Sequence, residues 1–156
     1  MELQKKRKEI LPALLLAGSL IFFVSILWIN FHAKQWYSFD IYSDALLARI
    51  MVEQKTLFPE NWVFGNQYYV IATPALAAVF YALVHDTVLA MALASSTMTI
   101  LILISYLWAV KPFTDQKSRL VGLFALSGAI ILGSSASSYV NGMEYFYTMA
   151  SFYACY

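Results

Sequence analysis

The sequence predicts an all-α fold, a polytopic bundle of about four transmembrane helices with a further helix on the outer membrane face in the first loop. Three observations carry that expectation. Hydrophobic residues make up 61% of the 156 positions and charged residues only 12%, against roughly 45–50% and about 25% in soluble domains. The charges are clustered, with six in residues 1–9, seven in 34–60, Asp86 alone, four in 111–119, and Glu144. Long uncharged apolar runs separate these clusters, so a water-facing surface cannot be laid around a core.

The same composition excludes other classes. A net charge of +1 with Cys155 as the single cysteine gives no disulfide framework. His32 and His85 are too few and too far apart to make a zinc site unaided. The basic run Lys5-Lys6-Arg7-Lys8 is short and abuts an apolar segment, which speaks against a nucleic-acid partner.

Residues 1–9 form a basic tail. Ile10–Phe31 is the first span, uncharged throughout, with Trp28 where an interfacial aromatic belongs. It is too long for the apolar core of a secretory signal and no small-x-small cleavage site follows it, so it reads as a retained signal anchor. The basic tail then stays in the cytoplasm, and the loop 32–66 emerges on the extracytoplasmic side of the cell membrane. The second span is expected over 67–84, where Pro74 raises the alternative of a kinked or partly inserted segment. The third is Thr87–Val110, preceded by a His85-Asp86-Thr87 turn expected on the cytoplasmic side with Asp86 or Thr87 as helix cap. Within it, Ala94-Ser95-Ser96-Thr97 is suited to close helix packing. The fourth is Leu120–Val140. Residues 141–156 read as an interfacial segment or as the start of a fifth span belonging to a longer protein, with Glu144 either interfacial or at membrane depth.

One conflict is visible. Four crossings leave Lys111–Arg119, with three basic residues, outside, against the positive-inside tendency. A re-entrant second segment would return that loop to the cytoplasm. Four crossings is the arrangement expected here, because the first span usually dominates orientation.

The loop 32–66 is the one long polar connection, and connections of that length usually have structure or function of their own. Ser43–Lys55 reads as a juxtamembrane helix, with Ser43 as N-cap, Asp44 in the first turn, and Leu46, Leu47, Ile50 and Met51 on one stripe facing the membrane. Pro59 and Gly65 mark the turn-rich stretch that follows.

Asp40 and Asp44 stand four residues apart just beyond the first span. A carboxylate there could act as general base toward a hydroxyl or hold a divalent metal through hard oxygen ligands. The simpler role is helix initiation by Asp44 with Asp40 solvated. Arg49 and Glu53 are spaced for a surface ion pair. Arg49 or Lys55 could instead meet a lipid phosphate, and Asn66 and Gln67, at the entry to the second span, could touch an acceptor.

An N-terminal anchor followed by this loop resembles the GT-C superfamily of integral-membrane glycosyltransferases. The matching residues are Asp44 in Ser43-Asp44-Ala45-Leu46-Leu47-Ala48-Arg49, then Leu57-Phe58-Pro59, then Asn61-Trp62. The resemblance covers roughly residues 10–85. It implies transfer of a sugar from a polyprenyl-phosphate-linked donor to an extracytoplasmic acceptor, with Asp44 in the position of the catalytic base and Asp40 as neighbour or alternative. Many members have a second acid directly after the first; here that position is Ala45. The competing reading is a small non-enzymatic multi-pass protein, such as a transporter or flippase accessory or an assembly subunit.

Overall fold

The computed structural model describes residues 2–32, 39–63 and 73–132, with side chains over 10–32, 41–63 and 73–131. Residues 133–156 lie outside that set, and with them the end of the expected fourth span, Glu144 and the segment 141–156. The described residues are helical, with no strand among them: α1 (Glu2–His32), α2 (Phe39–Gln54), α3 (Thr73–Val84), α4 (Thr87–Val110) and α5 (Gln116–Leu132). Among the described residues two stretches are long and apolar enough to cross a membrane, Ile10–His32 within α1 and Thr87–Val110, which is α4.

Why these residues form these helices is visible at their ends. The basic tail is the first part of α1, in register with the apolar run. At its far end the His32 Nδ1–H donates to the Trp28 carbonyl at 2.8 Å, and the two rings stack with centroids 4.5 Å apart. In α3, Pro74 lies in the first described turn, where a missing N–H costs little. His85 ends α3 at φ 55°, its N–H donating to the Tyr81 carbonyl at 2.9 Å, a left-handed cap normally given to glycine. Asp86 then caps α4, its carboxylate accepting the Leu89 N–H at 2.8 Å.

Helix directions differ from the expected four-crossing order. Asn30, in the last turn of α1, is bonded to Ser96 of α4, while Leu16, Leu20 and Phe23 share a cavity with Leu107, Ile104 and Ile100. Numbers rise along α1 as they fall along α4, so the two helices are antiparallel. Four crossings would make them parallel. In α5, Phe124 lies at Gly18 and Gly128 at Phe22, so α5 runs parallel to α1. The loop 111–119 therefore sits at the same end as the basic tail, and the His85-Asp86 turn lies toward the opposite end, not with the tail. The described part of α3 has 12 residues, about 18 Å of helix at 1.5 Å per residue against the roughly 30 Å of a bilayer core.

Packing divides the molecule into two levels. At the far end, Ile41, Leu47, Ala48 and Met51 of α2, Ala77 and Ala78 of α3, and Met91, Ala94, Met98 and Ile102 of α4 form a buried cluster. Ala and Met predominate because the helices approach closely and the thioethers fill irregular gaps. Large apolar side chains are exposed at both levels, Leu57, Phe58, Val63, Val79 and Leu83 at the far end among them. Leu14, Leu20, Ile21 and Val24 of α1, Ile104 and Trp108 of α4 and Val121 of α5 are all exposed, although each is of a kind that soluble proteins bury.

Candidate functional site

The sequence-level candidates centre on α2, and the helix begins four residues earlier than expected. Phe39–Tyr42 contains no helix breaker, and Ile41 is fully buried, anchoring the first turn to the core. Ser43 is thus inside the helix and is not its N-cap. Asp44 is in the second turn, not the first.

The buried face of α2 is also rotated from the expected stripe. Leu47 and Met51 are buried, but Leu46 is exposed and Ile50 only half-buried; Ile41, Asp44, Ala45 and Ala48 complete the inward face. Asp44 is 9% exposed and the only buried acid among the described side chains. It is engaged within the fold, not displayed to solvent. Desolvating a carboxylate is costly unless it is paired or hydrogen-bonded, so burial of Asp44 marks a built position. Asp40 lies one turn earlier in α2, and its side chain is outside the described residues.

Arg49 points outward. Its Nε donates to Glu53 Oε1 at 2.6 Å, with both side chains about half exposed. The hydrogen bond and charge of Glu53, followed by the Tyr81 phenol of α3, raise the guanidinium pKa above its ordinary value. A lipid phosphate at Arg49 would have to compete with Glu53.

Lys55 closes α2 at φ 53°. Its N–H donates to the Val52 carbonyl at 3.2 Å and the Thr56 N–H to the Met51 carbonyl at 3.1 Å, the paired bonds of a Schellman cap. The side chain borders an open groove of about 310 Å³, walled by Met51, Val52 and Leu57 on one side and Ala75, Val79 and Ala82 on the other. The chain beyond is held down by Gln54, whose Oε1 accepts the Glu60 N–H at 2.8 Å. Pro59–Trp62 forms a turn with Asn61 at φ 64°.

The candidates are therefore not all brought together. Asp44 and Lys55 belong to the same helix but are separated by about 16 Å along its axis, and Arg49 faces away from the buried side. Asn66 and Gln67 lie outside the described residues. Among the described residues no three His, Cys, Asp or Glu side chains gather as metal ligands.

Two buried polar groups were not singled out from sequence. Asn30, 1% exposed, donates from Nδ2 to Ser96 Oγ at 3.2 Å, while its Oδ1 has no partner among the described residues. Thr73 Oγ1, at the start of α3, is in the same condition. A signal for Asn30 was available, since it is the one amide in the otherwise apolar Ile10–Phe31 run. No family model, no curated protein and no solved structure matches this chain.

Proposed function

We propose that the chain is a multi-pass membrane protein in which α1, α4 and α5 cross the bilayer, with α2 and α3 layered at the extracytoplasmic end. The two long apolar helices support insertion, as do the exposed large apolar side chains along α1, α4 and α5. The orientation is supported by Lys111, Lys117 and Arg119 sharing an end with the basic tail, which satisfies the positive-inside tendency that four crossings would violate.

Within that frame, the layer belongs to a membrane glycosyltransferase. It serves transfer of a sugar from a polyprenyl-phosphate-linked donor to an extracytoplasmic acceptor. The observation that carries this reading is the burial of Asp44 on the inward face of α2, beside the resemblance of its segment to the GT-C first loop. In the reaction, the Asp44 carboxylate takes the proton of the acceptor hydroxyl as that oxygen bonds to the anomeric carbon. The bond from that carbon to the phosphate oxygen breaks, and the polyprenyl phosphate leaves with its electron pair. A carboxylate held in a low-dielectric setting and fixed by helix packing suits a general base.

The test is Asp44→Asn in membranes of cells expressing the protein, with transfer from a polyprenyl-phosphate-linked sugar as readout and the folded amount as control. Loss of transfer on the order of 100-fold or more at equal folded protein is the expected result for removal of a general base. A second reading, a non-enzymatic membrane subunit in which Asp44 only braces α2, is favoured by the engagement of Asp44 within the fold. It requires transfer to follow the folded amount and nothing else.

A further inference from the structure

The basic end of the bundle holds a cavity that the sugar-transfer reading does not use. It has a volume of about 490 Å³ and lies where α4 ends and α5 begins, with Lys111 and Arg119 at its rim, Trp108 and Gln116 beside them, and Ile104 and Leu107 on its apolar side. Lys111 is exposed and Arg119 half-buried, and neither is in an ion pair among the described residues. Asp115 is the acid between them in the chain, and its carboxylate is occupied by the Ser118 N–H at 3.1 Å.

A second space adjoins the cavity on its apolar side. Ile104 and Leu107 also line this second, mainly apolar space of about 210 Å³ between α1, α4 and α5, with Leu16, Leu20, Phe23 and Leu123 on its walls. A cationic site with an indole beside it therefore adjoins an apolar groove across the Ile104 and Leu107 side chains. An anion alone would leave the groove empty, and an apolar chain alone would leave two cations without a counter-charge. One molecule that carries a phosphate and a fatty chain satisfies both.

We infer that this is a site for an anionic phospholipid of the cytoplasmic leaflet, with its phosphate between Lys111 and Arg119 and one acyl chain in the groove between α1 and α4. The inference rests on the membrane reading of α1, α4 and α5 and is independent of sugar transfer. Arg119 supplies a planar fork suited to two phosphate oxygens, and Lys111 a mobile point charge. The site sits at the headgroup level because α4 changes there from apolar to charged, at Trp108-Ala109-Val110-Lys111.

The test uses the full chain purified in detergent, with phosphatidylglycerol and phosphatidylcholine of identical acyl chains, retained lipid being read by native mass spectrometry. Phosphatidylglycerol is retained preferentially. Its affinity falls about five-fold in Arg119→Gln and on the order of 25-fold in Lys111→Gln/Arg119→Gln, the scale of one Lys or Arg at an anionic surface. Lys117→Gln removes the same charge outside the cavity and keeps affinity within about two-fold of the parent, on the same scale. Ile104→Trp, which fills the groove, also lowers retention. An equal loss in Lys117→Gln and Arg119→Gln would overturn the site, as would full displacement of the lipid by inorganic phosphate. Circular dichroism of each variant confirms folding. Alkaline carbonate extraction separates the two levels of the argument: a chain washed out of the membrane defeats the membrane reading, whereas a retained chain without lipid selectivity defeats the site alone.

Discussion

Asn30 and Ser96 meet at a buried point where the last turn of α1 crosses α4, Nδ2 to Oγ at 3.2 Å. This bond fixes how far α4 extends past the end of α1. Polar contacts between helices in lipid have coupling energies of roughly 0.6 kcal/mol. A double-mutant cycle of Asn30→Ala and Ser96→Ala, followed by unfolding in mixed micelles, is expected to return a coupling of about that size. Zero coupling would mean that the contact does not set the register.

Helix directions make a sharper prediction. With Cys155 replaced by Ser, a single cysteine at Glu60 is expected to react with a membrane-impermeant maleimide in intact cells. One at Lys117 should react only after permeabilisation. Both parent side chains are exposed, so accessibility depends on the side of the membrane and not on burial. Labelling of position 117 from outside would restore the four-crossing order.

Two glycines hold α5 against its neighbours. A Cβ at residue 18 would lie 2.6 Å from the Phe124 ring, and one at residue 122 would collide with the Tyr106 hydroxyl. Gly18→Ala and Gly122→Ala are each expected to destabilise the bundle by about 1–3 kcal/mol, the range for overpacking. Tyr106→Leu should recover much of the loss in Gly122→Ala and none of that in Gly18→Ala, as measured by thermal unfolding in detergent.

Asp115 confers a pH dependence on the start of α5. Hydrogen bonds from Ser118, first its side chain and then its N–H, hold the Asp115 carboxyl below its ordinary value of 3.8. The folded pKa is below the unfolded one, so the cap contributes fully above the unfolded value and is lost as pH falls through the folded one. Protection of the Ser118 amide, its exchange relative to the unfolded chain at the same pH, is therefore expected to fall as the pH drops below about 4. Asp115→Asn, which caps without titrating, should abolish that dependence.

Much of this architecture was legible from periodicity and charge. The bounds of α4, Thr87–Val110, coincide with the expected third span because an Asp at its start and a Lys at its end punctuate an unbroken apolar run. The Arg49–Glu53 pair followed from i, i+4 spacing alone. The start of α2 was misread because Ser43 and Asp44 are both good caps, and local capping preference competes with an anchor such as Ile41 whose burial only tertiary contacts reveal. The inward turn of Asp44 was hidden for the same reason. Direction was the hardest feature, since an apolar run does not reveal the sense of its helix; pairings such as Asn30 with Ser96, Gly18 with Phe124 and Phe22 with Gly128 show which ends meet.

The parallel pairing of α1 with α5 also constrains assembly. Their contact joins the first and last described helices, with α2, α3 and α4 between them in the chain. In the proposed membrane arrangement, the notch at Gly18 faces fatty chains until the ribosome has released α5. Defects at that notch should therefore spare the placement of α1 and strike the later docking step, leaving an anchored chain in which α5 fails to seat.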